Sequence, residues 1–223
     1  MMRSLICLLL LLAGTTSSLF AEEQMWNALT KQQQSQLLAG KQVQIEEEIP
    51  DKPWPRYTIY HLVTGKPAEV TAIFWDSELD PKYIPNCSSV HITSRPNTWI
   101  HEGEYTLKMP LFLPDEVYTS RNELKKLSAN SYEISWKVLQ SRYTKSCSGS
   151  LRIEEHDGKT LLRYSNLVVP GSRIAVLLRS TAGSQVVSSV EALVHQVATE
   201  LEKTPRLLEK QLLELEHSLG AAK

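Results

Sequence analysis

The chain is poor in several residue types, and each shortage excludes a class of protein. Its 223 residues include only 3 cysteines and 9 glycines, and the formal net charge is -1. A nucleic-acid-binding protein carries a basic patch, which nothing in this near-balanced charge predicts. Neither a CxxC pair nor an HxxxH motif occurs in the sequence. We therefore expect no nucleic-acid partner, no metal site and no bound cofactor.

The longest apolar run is too short to cross a membrane. It extends from Leu5 to Ala13, follows the positive start Met1-Met2-Arg3, and is followed by small and polar residues up to Ala21. A membrane-spanning helix needs about 20 apolar residues, whereas this order of segments is typical of a secretory signal peptide. We expect residues 1–21 to be cleaved near Ala21 and the mature protein to be exported, either to the periplasm or out of the cell. An uncleaved anchor is the alternative.

Only two cysteines remain after the predicted signal peptide, Cys87 and Cys147. In an oxidising compartment such a pair can form a disulfide, provided that the fold brings the two Cα atoms within about 7 Å. Two buried thiols that pack as small apolar residues are the alternative. The sequence leaves both possibilities open.

Alternating apolar and polar residues predict a series of β-strands in the middle of the chain. Turn signals separate the strands, and Asp157-Gly158 is the strongest of them. The predicted strands are Val43–Ile49, Tyr57–Val63, Ser89–Arg95, Trp99–Met109, Glu116–Leu127, Tyr132–Ser141, Gly149–Glu155 and Thr160–Val169. Two short helices, Pro67–Trp75 and Asp76–Pro85, are predicted after the second strand.

Helical spacing of apolar residues predicts helices at both ends of the chain. Glu22–Gly40 is the first, Val186–Leu201 is a long helix after the strands, and Thr204-Pro205 begins a last helix. This organisation predicts an amino-terminal helix at 22–39, one domain at 40–203 and a helical extension at 204–223.

The order of elements and several segments resemble the START-like superfamily. The segments that carry the resemblance are Pro67–Asp76, Leu79–Asn86, Tyr132–Trp136, Gly149–Arg152, Thr160–Tyr164 and Val186–Leu201. Its members include lipid-transfer domains, polyketide cyclases and coenzyme-Q-binding proteins. The resemblance implies an α+β helix-grip fold, in which a curved antiparallel sheet wraps round a long carboxy-terminal helix. Where sheet and helix diverge, such a fold leaves a cavity.

In such a fold, one face of each strand and the apolar stripe of the helix would line the cavity. The candidate lining residues are Tyr105, Leu107, Met109, Tyr132, Ile134, Trp136, Leu162 and Tyr164 from strands, and Val190, Leu193, Val194 and Val197 from the helix. An apolar lining with tyrosine and tryptophan polar tips suits a hydrophobic small molecule. The alternative is that the same residues fill a solid core.

Three functions are compatible with the predicted helix-grip fold and its apolar cavity. The first is an exported carrier of a hydrophobic small molecule such as a lipid, a quinone or a polyketide-like ring, with transient membrane contact. The second is an enzyme, cyclase-like or hydrolase-like, on the same scaffold. The third is an interaction module that uses its helical ends, where a leucine stripe could form a coiled coil or pack on its own domain. The stripe consists of Leu208, Leu212, Leu215 and Leu219.

No catalytic constellation is recognised in the sequence. His61, His91 and His101 fall on predicted strands and could meet in a metal or acid–base site, although exposed strand histidines are ordinary. Arg163 and Arg179 could anchor an acidic headgroup or pair with glutamates at the surface.

Overall fold

The computed structural model describes residues 25–109, 114–171 and 179–220. The predicted signal peptide, residues 1–21, lies outside the described residues. None of the described helices is both long enough and apolar enough to cross a bilayer.

Eight strands form one sheet in which all neighbours are antiparallel. The strands are β1 Val43–Glu47, β2 Arg56–Val63, β3 Cys87–Asn97, β4 Ile100–Leu107, β5 Glu116–Ser128, β6 Ser131–Ser141, β7 Thr144–His156 and β8 Lys159–Pro170. Their order across the sheet is β1-β2-β8-β7-β6-β5-β4-β3. Only β2 and β8 are neighbours without being consecutive, so the chain returns across the sheet once and leaves β1 and β3 at its edges.

The helices lie before, between and after the strands. They are α1 Lys31–Leu38, α2 Pro67–Trp75, a 3₁₀ helix Ser77–Lys82, α3 Arg179–Lys203 and α4 Pro205–Gly220. Helix α1 is shorter than the predicted Glu22–Gly40 because Thr30 caps it. The Thr30 side chain accepts a hydrogen bond from the Gln33 backbone, and the Gln33 side chain accepts one from the Thr30 backbone. This capping box fixes the start of the helix.

The carboxy-terminal half of α3 packs on the sheet and forms the centre of the core. Leu193 and Val197 pack with Leu151, Ile153 and Leu162, and each of these side chains is at most 1% exposed. The burial of these aliphatic side chains holds α3 against the concave face of the sheet.

Helix α4 packs on its own domain. Leu215 is 2% exposed and packs with Ala72 and Trp75 of α2 and Leu124 of β5. The Trp75 indole also donates a hydrogen bond of 3.2 Å to Ser218 Oγ. Of the two roles open to the leucine stripe, packing on its own domain is therefore the one seen in the described residues.

The predicted fold class is confirmed: the chain is α+β, with a curved antiparallel sheet, two short helices after the second strand and long carboxy-terminal helices. The largest difference in the sheet is at β7, which begins at Thr144 rather than Gly149. Its first residues are polar, Thr-Lys-Ser-Cys-Ser, so they give no alternation for a sequence pattern to detect.

Candidate functional site

A cavity of about 360 Å³ lies between the sheet and the amino-terminal half of α3. Its volume lies within the range of roughly 300–1,000 Å³ typical of small-molecule sites. Helix α3 contributes Gln185, Val186, Ser189 and Leu193 to the lining. Further along α3, Val197 is fully buried against the sheet. Helix α3 thus contacts the sheet at some positions and borders the cavity at others.

A single strand can contribute side chains both to the solid core and to the cavity lining, and β8 is the clearest case. Leu162 is 0% exposed and belongs to the core, whereas Tyr164, Asn166 and Val168 line the cavity. Side chains two residues apart on a strand share a face. The same face of β8 thus serves as core at one end and as cavity wall at the other.

The twelve predicted lining residues divide into two equal groups. Those that line the cavity are Tyr105, Leu107, Ile134, Trp136, Tyr164 and Leu193. Those that lie outside its lining are Met109, Tyr132, Leu162, Val190, Val194 and Val197. Met109 lies beyond the end of β4 at Leu107. The others face the same way as the lining residues but belong to, or pack against, the core clusters, where helix and sheet are in contact.

Trp136 forms much of the aromatic wall. Its ring centroid lies 5.0 Å from that of Tyr164 and 6.2 Å from that of Phe74, and its Nε1 donates a hydrogen bond of 3.2 Å to Asn166 Oδ1. Gly149 lies opposite on β7, where an added Cβ would come within 2.4 Å of the indole. The glycine therefore makes room for the tryptophan against the sheet.

Asp80, from the 3₁₀ helix, places a carboxyl in the cavity wall. Its Oδ1 accepts a hydrogen bond of 2.9 Å from Tyr83 Oη. Burial raises the pKa of this carboxyl to about 7; the Tyr83 hydrogen bond opposes the rise and the charge of Asp76 adds to it. An apolar environment disfavours the charged form, which explains the direction.

A second polar group in the wall is centred on Asn122 of β5. Its Nδ2 donates to Tyr105 Oη at 2.9 Å and to His101 Nε2 at 2.9 Å. Ser120 Oγ donates to Asn122 Oδ1 at 3.4 Å, and Ser77 Oγ lies 3.3 Å from the same His101 nitrogen. The network connects the 3₁₀ helix, β4 and β5 behind the cavity wall.

His101 supports this network as a neutral imidazole. Its side chain is 1% exposed and its ring lies 4.3 Å from that of Trp75. Burial lowers the pKa of His101 to about 4, and the charge of Arg95 acts in the same direction. Because Nε2 accepts from Asn122, the ring proton lies on Nδ1, which has no hydrogen-bond partner among the described residues.

Glu116, at the start of β5, is a lining carboxylate whose hydrogen bonds are already made. Its Oε1 accepts from Ser141 Oγ at 2.5 Å and from the Arg142 backbone at 3.1 Å, and its Oε2 accepts from the Tyr143 backbone at 3.1 Å. Three donors compensate the buried charge, so Glu116 acts as a cap for the turn between β6 and β7.

Cys87 and Cys147 both line the cavity, and each is a free thiol rather than half of a disulfide. Burial raises the pKa of Cys87 to about 11 and that of Cys147 to about 12. Cys147 Sγ lies 3.4 Å from Asn166 Oδ1. A thiol with a raised pKa is a poor nucleophile, so both serve as small lining groups.

The other candidate site residues lie apart. His91 is exposed on the edge strand β3, whereas His61 lies on β2 towards the opposite edge of the sheet. Within residues 25–109, 114–171 and 179–220, no three metal-ligating side chains come together. Arg179 binds Glu46 and Glu48 at the surface, and Arg163 is not part of the cavity lining.

The sequence-based prediction missed most of the polar lining residues, and also aromatic ones such as Tyr57 and Phe74. A signal for one of the polar residues exists: Asn166 occupies an inward position of β8 between Tyr164 and Val168, which are aromatic and apolar. A polar residue at such a position is expected to meet a partner or a ligand. Asp80 has no comparable signal, because its short helix shows no periodicity.

No protein-family model matches the chain, and no curated protein matches it in sequence. The comparison with solved structures does find matches. A STAR-related lipid transfer protein fragment from Xanthomonas axonopodis aligns with a TM-score of 0.63 at 10% identity, over 70% of this chain and 93% of that one. The Zhui aromatase/cyclase from Streptomyces sp. R1128 aligns with a TM-score of 0.58 at 13% identity, over 66% and 96% of the two chains.

Human STARD10 aligns with a TM-score of 0.55 at 13% identity, over 78% of this chain and 82% of that one. The first two neighbours are named for different activities, lipid transfer and aromatase/cyclase, yet both align over most of their length. At these identities the likeness concerns the fold, and it agrees with the topology described above. The chain has the START-like helix-grip fold.

Proposed function

We propose that this protein binds a hydrophobic small molecule, such as a lipid, a quinone or a polyketide-like ring, in the cavity under α3. The observation that carries the proposal is the cavity of about 360 Å³. Protein interiors have few voids larger than a water molecule, which occupies roughly 30 Å³ in the liquid. A space of this size inside a well-packed domain is much larger than an ordinary packing defect, and it supports a role in ligand binding.

The lining supports an apolar ligand with at least one polar group. Aromatic and aliphatic side chains make up most of the wall, among them Trp136, Tyr164 and Leu193, while Asp80 and Asn122 provide polar atoms. Binding removes apolar surface from water on both partners, which is the main favourable term. The few polar atoms would fix the orientation of the ligand.

The carrier role is the second part of the proposal. The amino-terminal signal-peptide pattern supports export to the periplasm or the exterior, where a hydrophobic molecule needs a shielded route through water. A carrier of this kind would make transient contact with membranes to load and unload. The Xanthomonas neighbour is named as a lipid transfer protein, which favours this role over others on the same fold.

Native mass spectrometry of the mature protein, purified from its own compartment, tests the proposal. The protein is weighed before and after extraction with organic solvent. We expect a discrete additional mass that extraction removes and that a purified candidate lipid or quinone restores. A bare polypeptide mass, with no uptake from a panel of lipids and quinones, would contradict the proposal.

An enzyme that acts on an apolar substrate is the second candidate, and Asp80 is the observation that favours it. A carboxyl with its pKa raised to about 7 in a cavity is the kind of group that active sites use for proton transfer. The Streptomyces neighbour is named as an aromatase/cyclase. Turnover separates the two candidates: a carrier returns its extracted ligand unchanged after incubation, whereas an enzyme returns a product of altered mass or structure.

A further inference from the structure

The cavity carries negative charge without a positive counterpart. Its described lining includes two carboxyl groups, Asp80 and Glu116, and no lysine, arginine or histidine. Two groups that could carry positive charge are engaged elsewhere. Arg179 binds Glu46 and Glu48 at the surface, and neutral His101 lies behind Asn122.

The two carboxyl groups differ in how far the protein satisfies them. Glu116 accepts hydrogen bonds from one side-chain hydroxyl and two backbone amides. The Asp80 carboxyl accepts one hydrogen bond from the described residues, that of the Tyr83 hydroxyl, and forms no described ion pair. Asp80 is therefore the lining group with remaining capacity to bind a hydrogen-bond donor or a cation.

Asp80 shares the cavity lining with tyrosines from three strands. Its charge acts on tyrosine hydroxyls that reach the cavity from three different strands, Tyr105 of β4, Tyr118 of β5 and Tyr164 of β8. Burial is the main cause that raises the pKa of Tyr105 and of Tyr164; the charge of Asp80 comes second for Tyr105, and for Tyr164 it comes after that of Cys147, so both tyrosines remain neutral. The titratable and charged groups around Asp80 are Asp76 and Tyr83 in its own segment, Cys87 of β3 and these three tyrosines.

Aromatic side chains line the same cavity as this carboxylate. Seven aromatic side chains line the cavity, including the stacked pair Tyr105 and Tyr118 with ring centroids 5.1 Å apart. The face of an aromatic ring is the negative end of its quadrupole and attracts cations, most strongly where water is excluded. Carboxylate and rings thus favour the same sign of charge in a ligand.

We propose that the cavity selects a cationic amphiphile, an apolar molecule with a protonated amine, and that Asp80 is its counter-ion. This inference rests on the proposed function and specifies the ligand class of the same site. An amine at Asp80 replaces its lost hydration with a charge-assisted hydrogen bond to the carboxylate. A ligand with a carboxylate or phosphate would bury a second negative charge beside Asp80 with no described cation to offset it.

Three probes that share one alkyl chain test the selection: dodecylamine, dodecanol and dodecanoate. Binding to the mature protein is measured at about pH 8 by native mass spectrometry and by tryptophan fluorescence, since Trp54 and Trp136 line the cavity. The variants are Asp80→Asn and, as a matched control, Glu78→Gln. Glu78 is an exposed carboxylate of the same 3₁₀ helix and is not part of the lining.

We expect dodecylamine to bind at least about tenfold more tightly than dodecanol, and dodecanoate to bind most weakly. Asp80→Asn should weaken dodecylamine binding by about tenfold or more and leave dodecanol within roughly threefold. Glu78→Gln should preserve the order. Equal binding of all three probes, or an order that survives in Asp80→Asn, would overturn the charge selection while leaving the hydrophobic cavity intact. Absence of binding by all three would overturn both.

Discussion

The hydroxyl of Tyr83 donates a hydrogen bond of 2.9 Å to Oδ1 of Asp80, three residues earlier in the chain. It is the only hydrogen bond that the Asp80 carboxyl receives from the described residues, and its donor follows directly after the short helix that carries Asp80. The other carboxylate oxygen is left for the cavity. The pair therefore determines both how readily Asp80 ionises and what it can still bind.

Replacement of Tyr83 by Phe should raise the pKa of Asp80 further. The hydroxyl favours the ionised carboxylate and opposes the effect of burial, so its loss leaves burial unopposed. The measurement is an NMR titration of the Asp80 side-chain carbonyl carbon, with an expected midpoint above about 7. Tyr143→Phe is the control, since that hydroxyl binds Pro114 O at the surface. An unchanged or lower midpoint in Tyr83→Phe would show that the contact does not stabilise the charge.

Asp80→Asn should stabilise the protein relative to wild type, and this gain in unfolding free energy should be larger at neutral pH than at acidic pH. The carboxyl binds its proton more tightly in the folded state, with a pKa of about 7 against an ordinary value of 3.8. Its contribution to the free energy of unfolding is therefore present below about pH 4 and is lost as pH rises to about 7. The amide mimics the protonated form and keeps that contribution.

The gain of Asp80→Asn over wild type should be near zero at about pH 4 and roughly 1–3 kcal/mol at about pH 8. Urea unfolding of both proteins across this range measures it. A constant difference at all pH values would mean that Asp80 is not buried as described.

His101 should produce the opposite pH dependence. Its pKa is lowered from 6.5 to about 4 in the folded protein, so the unfolded chain binds the proton first as pH falls. The stability that the neutral ring contributes is present above about pH 6.5 and is lost towards about pH 4. Replacement by Gln removes this dependence, so the difference in unfolding free energy between wild type and His101→Gln should shrink by up to about 3 kcal/mol over that interval. A difference that grows instead would show that the ring is protonated inside the protein.

Gly149→Ala should destabilise the protein by about 1–3 kcal/mol and displace Trp136. The new Cβ would lie 2.4 Å from the indole and 2.4 Å from the Ser165 carbonyl oxygen, so one of them must move. Thermal unfolding and the tryptophan emission spectrum report the two effects. Gly220→Ala is the control, because nothing lies within 4 Å of the added Cβ there. Equal behaviour of the two variants would refute the close packing of Gly149 and Trp136.

The sequence was sufficient to predict the architecture because alternation and helical spacing are properties of single elements. Strand β6, predicted as Tyr132–Ser141 and observed as Ser131–Ser141, is typical. Helix α3 begins at Arg179 rather than Val186, since its first turns are rich in serine, threonine and glycine and show no apolar stripe. Such turns are helical through their position in the fold rather than through their pattern.

The lining of the cavity was predicted only in part, for a geometric reason. Alternation identifies the inward face of a strand but not where along that face the helix departs from the sheet. Ile134 and Trp136 were therefore grouped with Tyr132, although the first two line the cavity and Tyr132 lies in the core. Asp80 and Asn122 are 42 positions apart in the chain, so only the fold brings these polar groups to one wall.

The central claim is that the cavity under α3 binds the ligand, and filling the cavity tests it most directly. Ser189 lines the cavity and donates a hydrogen bond to the Gln185 carbonyl oxygen, whereas Thr199 makes the same kind of bond to His195 on the same helix and is not part of the lining. Phenylalanine is placed at each position, and uptake of an apolar probe is measured by native mass spectrometry on proteins of equal helix content. The account predicts that Ser189→Phe loses uptake by tenfold or more while Thr199→Phe binds as wild type does, the tenfold being about 1.4 kcal/mol. Unchanged uptake in Ser189→Phe, with the fold intact, would place the binding site elsewhere and contradict the account.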